Sequence, residues 1–287
     1  ESMTNAGFVL PAEIRGGFKM GNLQAADHMV TDGLTDAFNN YHMGITAENI
    51  AEQFGISREE QDAFAYLSQQ KAIKAVDEDK FKEEIVPFEI VSRKETIVFD
   101  KDEFPNRTST PEKLAALRPA FKKDGTVTAG NASGVNDGAA FVMLAGEEAV
   151  RNFNLKPIAE IVAFGEGGVD PAVMGLGPVP AIRMALKRAG MQLTDMEIVE
   201  LNEAFAAQSL GVIRSLEKEH GVSREWIDEH TNIHGGAIAL GHPIGASGCR
   251  ILVSLVHELK MYNKKTGLAS LCIGGGMGTA IIVKAVN

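Results

Sequence analysis

The apolar residues of this chain follow two different patterns, one before and one after about residue 130. From residue 5 to that point, short segments with helical spacing are separated by irregular stretches and one pair of strand-like runs. Beyond it, apolar runs of strand length alternate with segments of helical spacing. Such alternation is typical of a layered α/β domain, so we predict an α/β fold preceded by a mostly helical segment.

Local signals define the predicted helices of the first part. Thr46 begins a helix that Gly55 ends. Ser57 and Glu60 then form a capping box, in which each side chain accepts a hydrogen bond from the other residue's backbone amide. The helical spacing that follows predicts a buried face made of Phe64, Leu67, Ala72, Ile73 and Val76.

The remaining elements follow from β-rich runs, helical spacing and turn residues. Strands are predicted at 84–91, 95–99, 138–144, 157–164, 198–201, 267–273 and 279–286, the first two forming a hairpin. Helices are predicted at 147–153, 178–190 and 203–219. A further helix after His242 is expected to bury Ile251, Leu255 and Leu259.

Composition narrows the class of protein. With 287 residues, 45% of them apolar, the chain can bury one large core or two ordinary ones. Its 38 acidic and 28 basic side chains give a net charge of −10, which argues against binding nucleic acid through bulk charge. Two cysteines give no disulfide framework, and no run approaches the roughly 18 to 20 apolar residues of a membrane span. We expect a cytoplasmic protein without a membrane or nucleic-acid partner.

Three short runs carry the candidate chemistry. Asn202 opens an Asn-Glu-Ala-Phe-Ala run after a predicted strand, His242 lies in Gly-His-Pro before a helix, and Cys272 ends a strand before three glycines that include Gly274. An amide, an imidazole and a thiol at element ends are the parts of thioester chemistry. Each residue also has a structural interpretation: Asn202 as a helix N-cap, His242 as a loop histidine, and Cys272 as a small buried apolar residue.

Together these runs resemble the thiolases, enzymes that make or cleave 3-ketoacyl-CoA through a cysteine-bound acyl group. The resemblance extends from Glu1 to Asn287. It implies a thiolase-like layered α-β-α-β-α fold with an incomplete N-terminal half and a mostly helical loop domain. It also implies three regions: a loop domain at 1–129, the closing strands of the N-terminal half at 130–156, and the C-terminal thiolase domain at 157–287.

The resemblance also implies roles for the site residues. Asn202 would hold a water that donates to the thioester oxygen, and His242 would take the proton of the nucleophilic thiol and then join the oxyanion hole. Cys272 would remove and return the α-proton, and the Gly274 amide would help form the second oxyanion hole. The family's acylated cysteine lies in an N-x-x-C-x-S-G stretch that does not occur among these residues, so we expect the 287-residue chain to be inactive by itself.

The same resemblance implies the substrate-binding residues. His42 and Met43, in a Tyr-His-Met-Gly run, match the acyl pocket of short-chain, biosynthetic thiolases. Ser133 matches the serine that binds the pantetheine arm of CoA, and Arg107 is the candidate for contact with the nucleotide. The apolar walls of the pocket would come from Leu34, Phe121, Met174 and Phe205.

The predicted function is that of an acetyl-CoA C-acetyltransferase, which condenses two acetyl-CoA to acetoacetyl-CoA and CoA or catalyses the reverse reaction. Coenzyme A thioesters are the substrates, no metal or redox cofactor is implied, and family members are typically homotetramers. Three alternatives stay open: a medium- or long-chain 3-ketoacyl-CoA thiolase, a ketoacyl synthase, and a non-catalytic protein that binds CoA thioesters.

Overall fold

The computed structural model describes residues 1–286, so Asn287, the last residue of the predicted 157–287 domain, lies outside the described residues. The α-helices are α1 Gly44–Phe54, α2 Arg58–Asp77, α3 Pro111–Ala115, α4 Glu147–Asn152, α5 Pro178–Ala189, α6 Ala206–His220, α7 Arg224–His230, α8 Ala237–Leu240 and α9 Ser247–Met261. The strands are β1 Phe8–Val9, β2 Ala26–Asp27, β3 Phe88–Val91, β4 Thr96–Phe99, β5 Ala159–Gly168, β6 Ile198–Leu201, β7 Thr266–Ile273 and β8 Met277–Ala285. Shorter helical turns are Ala12–Gly16, Met29–Leu34, Pro171–Leu176 and Leu193–Asp195.

A four-stranded sheet organises the second half of the chain, in the order β5-β8-β7-β6. Strands β5 and β7 are antiparallel to β8, and β6 runs parallel to β7. The predicted strands at 157–164, 198–201, 267–273 and 279–286 are confirmed to within a few residues. Because β6 and β7 are parallel, their carboxyl ends, where Asn202 and Cys272 lie, meet at one edge of the sheet.

Helices cover both faces of this sheet. On one face, Ile182 of α5 and Ile213 of α6 pack with Leu268 and Ile282 of the strands. On the other face, α9 buries its predicted apolar stripe against Ile198, Ala269 and Val283; the stripe consists of Ile251, Leu255 and Leu259. The layers that the sequence pattern predicted around this sheet are therefore present.

The predicted face of α2 is only partly buried: Ala72 is buried, and Phe64, Ile73 and Val76 are half-buried. Leu67 is 43% exposed, and the buried positions of this helix carry mainly small and polar side chains. The reason is the close approach of Gly235, where a Cβ would lie 2.7 Å from the Ser68 carbonyl oxygen and 2.9 Å from the Ala72 Cβ. Large side chains on this face of α2 would push away the glycine loop, the stretch of Gly235 and Gly236 before α8. The buried α2 residues are Gln61, Asp62, Ala65, Ser68, Gln69, Ala72 and Ala75.

The predicted strand at 138–144 is wrong, and with it the expectation of closing strands within 130–156. Residues 138–146 belong to no strand, and Phe141 is 87% exposed. A strand exists only where a neighbouring strand accepts and donates its backbone hydrogen bonds. Among residues 1–286, only the start of the segment has such a contact: the Gly138 amide donates to the Glu1 carbonyl, next to the Ser2–Asp137 bridge. Its apolar composition alone does not form a sheet.

The first part of the chain consists of helices and two short hairpins. The predicted hairpin is confirmed as β3 and β4, which pair from Phe88–Phe99 to Val91–Thr96. The capping box of Ser57 and Glu60 is present at the start of α2. Within residues 1–286, no helix is both long and apolar enough to cross a membrane. The same residues contain no group of three or more His, Cys, Asp or Glu side chains placed to hold a metal ion.

A cluster of buried carboxyl groups lies beside α9, around the single guanidinium of Arg250. Arg250 Nη1 lies 3.5 Å from Glu200 Oε2, and Ser254 Oγ donates to Glu84 Oε1 at 3.2 Å. Burial raises the pKa of Glu84 to about 7. Burial, together with the nearby Glu84, raises the pKa of Glu258 to about 8. These acids hold protons in the folded protein that the unfolded chain would release.

We expect this cluster to make the fold less stable as pH rises. Above the ordinary glutamate pKa of 4.5 the unfolded chain loses its proton, whereas folded Glu258 keeps its proton up to about pH 8. The free energy of unfolding contributed by this group therefore falls between these pH values, by up to about 1.4 kcal/mol per pH unit. Glu258→Gln should flatten the slope measured by urea unfolding at several pH values. The exposed Glu160→Gln is the control, and an unchanged slope in Glu258→Gln would contradict the expectation.

Candidate active site

Asn202 lies in the connection between β6 and α6 and is not a helix cap. Helix α6 begins at Ala206 with Phe205 as the preceding residue, so the interpretation of Asn202 as an N-cap is wrong. Its backbone amide donates to the Ser270 carbonyl of the neighbouring strand at 3.0 Å. The side chain is buried, and its Oδ1 has no hydrogen-bond partner among residues 1–286. A buried amide oxygen without a partner is suited to holding a ligand or a water molecule.

Glu203, the next residue, forms hydrogen bonds that hold the glycine loop and α8, which precede His242. Its buried carboxylate accepts from Ser68 Oγ at 2.6 Å, Asn232 Nδ2 at 2.9 Å and the Ile238 amide at 3.3 Å. Ser68 Oγ in turn accepts from the Gly236 amide at 3.1 Å. Burial raises the pKa of Glu203, while these hydrogen bonds oppose the rise. Sequence reasoning missed this residue, although an acid inside an apolar Asn-Glu-Ala-Phe-Ala run is a usable signal.

His242 is held at three points. Its backbone amide donates to Asn136 Oδ1 at 3.1 Å, its Nε2 lies 3.3 Å from Asn202 Nδ2, and its Nδ1 lies 2.6 Å from Ser247 Oγ. Burial, with a smaller effect of the Arg250 charge, lowers the pKa of His242 to about 4. The imidazole is therefore neutral at pH 7 and able to accept a proton. The contacts through Asn136 and Ser247 were not predicted.

Cys272 lies at the carboxyl end of β7, two residues after the Ser270 that binds the Asn202 backbone. Its side chain is buried, and burial raises the pKa of the thiol to about 12. Gly274 follows in the turn to β8, where a Cβ would overlap the methyl group of Met43. The turn after Cys272 thus leaves just enough space for the Met43 side chain.

The predicted acyl-pocket residues gather around Cys272. His42 stacks on Phe121 with ring centroids 4.5 Å apart, and Phe121 meets the Phe205 ring edge-on at 6.0 Å. Met43 donates its backbone amide to the Leu34 carbonyl at 2.8 Å. One apolar cluster contains Met43, Phe121, Met174, Phe205 and Cys272.

Ser133 and Arg107 differ in their placement. Ser133 Oγ donates to the Ala204 carbonyl at 2.9 Å, so this serine adjoins the loop of Asn202. The Arg107 guanidinium instead forms an exposed ion pair with Asp77, with Nη2 2.6 Å from Oδ1. A cavity of about 680 Å³ is lined by Arg107 and by Ala132, the residue before Ser133. Its volume lies within the range of ligand sites.

Family models and relatives match this chain over almost all its residues. The model for the thiolase N-terminal domain matches residues 1–148, and that for the C-terminal domain matches 155–285. The acetyl-CoA acetyltransferase of Syntrophomonas wolfei is 54% identical over 292 residues, covering 100% of this chain and 71% of that protein. The Escherichia coli acetyl-CoA acetyltransferase is 52% identical over 287 residues, covering 100% of this chain and 71% of that protein.

Solved structures agree with these matches. The crystal structure of the Bacillus anthracis acetyl-CoA acetyltransferase has a TM-score of 0.92 and 46% identity, covering 100% of this chain and 70% of that one. The structure of human mitochondrial 3-ketoacyl-CoA thiolase in complex with CoA has a TM-score of 0.88 and 44% identity, covering 100% of this chain and 69% of that one.

The hydrogen bonds of Glu203 predict a large loss of stability on its removal. Glu203→Ala leaves three buried donors without an acceptor, each costing about 1 to 3 kcal/mol. We expect the free energy of unfolding to fall by roughly 3 kcal/mol or more in urea titrations, and Glu203→Gln, which keeps one acceptor oxygen, to lose less. The exposed Glu229→Ala is the control. A loss in Glu203→Ala no greater than in that control would show that the carboxylate does not hold the loop.

Proposed function

This chain belongs to the thiolase family, and we propose that it supplies the proton-transfer and substrate-binding residues for the acyl transfer of an acetyl-CoA C-acetyltransferase. The reaction condenses two acetyl-CoA to acetoacetyl-CoA and CoA, or runs in reverse, through a cysteine-bound acyl group. One observation carries the proposal. The Asn202 amide lies 3.3 Å from a neutral His242 imidazole, at the sheet edge where Cys272 also lies.

His242 is proposed to act in both halves of the reaction. As a neutral base it takes the proton of the nucleophilic thiol, and the sulfur then attacks the thioester carbon. The resulting imidazolium N–H donates to the thioester oxygen as negative charge develops there. The unpartnered Oδ1 of Asn202 supports its proposed role, because it can accept from a water that donates to the same oxygen.

Cys272 is proposed to exchange the α-proton of the acetyl group. Burial keeps its thiol protonated, which is the form needed to donate a proton to the α-carbon during cleavage. In the condensation direction this thiol first gives its proton to the CoA thiolate that leaves on acylation, and the resulting Cys272 thiolate, of high pKa, is a strong base. The backbone amide of Gly274 is proposed to donate to the oxyanion of the acylated cysteine.

Coenzyme A is proposed to occupy the cavity between Ser133 and Arg107. Ser133 would bind the pantetheine arm, and its position beside Ala204 supports this. Arg107 would bind the nucleotide, which requires its guanidinium to leave Asp77 or to bind an anion beside it. The lining of the same cavity by Arg107 and Ala132 supports one continuous ligand path.

The acyl pocket is proposed to fit short chains. The Met43 methyl group in contact with Gly274, and Met174 in the same cluster, fill the space beside Cys272. His42, Phe121, Phe205 and Leu34 would complete the walls. A longer-chain 3-ketoacyl-CoA thiolase is the second candidate, because the human mitochondrial enzyme of that name is also similar in structure.

Three further proposals concern the domains of the chain, its oligomeric state and its location in the cell. The regions 1–129, 130–156 and 157–287 are proposed as loop domain, part of the N-terminal half and C-terminal domain, supported by the boundary between the two matched family models. A homotetramer is supported by exposed apolar residues on the hairpins, such as Phe8 and Phe88. A cytoplasmic location is supported by the free thiols of Cys249 and Cys272.

A thiolysis assay tests the proposed function. We expect the 287-residue chain to show no cleavage of acetoacetyl-CoA by CoA, since neither of its two cysteines is assigned as the nucleophile. A chimera should be active when a thiolase segment that bears an N-x-x-C-x-S-G stretch is placed ahead of residue 1. Within that chimera, Cys272→Ala should stop condensation but leave acylation detectable by intact mass. Turnover by the unextended chain would make Cys272 the nucleophile, and an inactive chimera would contradict the function.

Substrate length gives a second test in the same chimera. Longer acyl chains must displace Met43 and Met174, and overpacking costs roughly 1 to 3 kcal/mol. We expect kcat/KM to favour the four-carbon over the eight-carbon 3-ketoacyl-CoA by about fivefold to a hundredfold. Joint replacement of Met43 and Met174 by alanine should narrow this ratio, whereas alanine at the exposed Met184 should not. Equal values in the unmutated chimera would favour the longer-chain candidate.

A further inference from the structure

Ser247 makes two hydrogen bonds that bear on the chemistry of His242. It is the first residue of α9 and is almost completely buried. Its Oγ lies 2.6 Å from His242 Nδ1 and 2.9 Å from the carbonyl oxygen of Pro243. The hydroxyl is therefore placed between the ring and the helix backbone, on the opposite side of the imidazole from Asn202.

The two contacts assign the hydrogen of the hydroxyl. A carbonyl oxygen only accepts, and a serine at the start of a helix commonly donates to the carbonyl four residues earlier. Ser247 has one hydroxyl hydrogen, and donating it to Pro243 leaves Oγ with only lone pairs for the ring. Nδ1 must then carry the hydrogen of the short contact and donate it to Oγ.

The other ring nitrogen agrees with this assignment. Asn202 Nδ2, a donor, lies 3.3 Å from His242 Nε2, which must then present a lone pair. The ring is neutral at pH 7, so it carries a single N–H. Two contacts on opposite sides of the ring thus favour the same tautomer, with hydrogen on Nδ1 and none on Nε2.

We propose that Ser247 is a positioning residue that keeps the hydrogen of His242 on Nδ1, so that Nε2 is the nitrogen that accepts the thiol proton. This role rests on the proposed function of His242. In that step the S–H bond breaks, the proton forms a bond to the Nε2 lone pair, and the sulfur keeps the electron pair for attack on the thioester carbon. The Nδ1–H remains bonded to Ser247 throughout, which leaves the new Nε2–H to donate to the thioester oxygen.

Long-range ¹H–¹⁵N NMR of the 287-residue chain at pH 7 measures the tautomer directly. His242→Gln identifies the His242 signals by their loss. We expect the ¹⁵N chemical shift of Nδ1 to lie in the range of a protonated ring nitrogen, and that of Nε2 in the range of an unprotonated one. Ser254→Ala is the matched control, a buried serine two turns along α9 that bonds Glu84, and it should keep this pattern. Ser247→Ala should raise the population of the Nε2–H tautomer. In Ser247→Cys, which keeps a weak acceptor, this population should lie between those of the unmutated chain and of Ser247→Ala.

A dominant Nε2–H tautomer in the unmutated chain would overturn the proposal, because Asn202 would then present its oxygen to the ring and Ser247 would donate to Nδ1. So would an unchanged tautomer in folded Ser247→Ala. In the active chimera, Ser247→Ala should lower kcat by roughly tenfold to a hundredfold with little change in KM. The NMR result does not depend on turnover. An inactive chimera therefore counts against the proposed function alone, and an Nε2–H ring counts against the role of Ser247 alone.

Discussion

The buried carboxylate of Glu203 is the contact on which the site depends. It joins Ser68 of α2 to a distant part of the sequence, where Asn232 follows α7 and Ile238 lies in α8, the short helix before His242. A carboxylate is well suited to this position because it only accepts, and all its partners are donors. Since Glu203 directly follows Asn202, fixing the carboxylate also fixes the amide relative to the imidazole.

Burial sets the protonation states of the two titratable groups near this carboxylate. It disfavours charge, so the His242 imidazole is neutral and the Cys272 thiol keeps its proton at pH 7. A neutral base and a protonated acid at one sheet edge are the starting condition for proton transfer in either direction. The same effect raises the pKa values of Glu84 to about 7 and of Glu258 to about 8 beside Arg250, where it affects stability.

Strand formation depends on neighbours to a degree that helix formation does not. The segment 138–146 is as apolar as β7, yet it forms no strand and is mostly exposed, because no strand pairs with it among residues 1–286. Helix α5, by contrast, satisfies its own backbone hydrogen bonds and ends at Gly190, which has a φ of 65°. Apolar composition predicts that a segment will be buried somewhere, while the hydrogen-bonding partner decides whether it becomes a strand.

The sequence by itself determined the features that arise from local signals: the Ser57 capping box, the ends of α5, the apolar stripe of α9, and the four strands after residue 157. It also indicated that Asn202, His242 and Cys272 lie at element ends. It did not predict α7 or α8. Only the tertiary structure decided the small-residue face of α2, the pairing of Arg107 with Asp77, and the contacts of His242 with Asn136 and Ser247. The physical reason is that capping and periodicity depend on residue types within one element, whereas these contacts depend on which elements meet in space; His242 and Asn136, for example, are 106 positions apart.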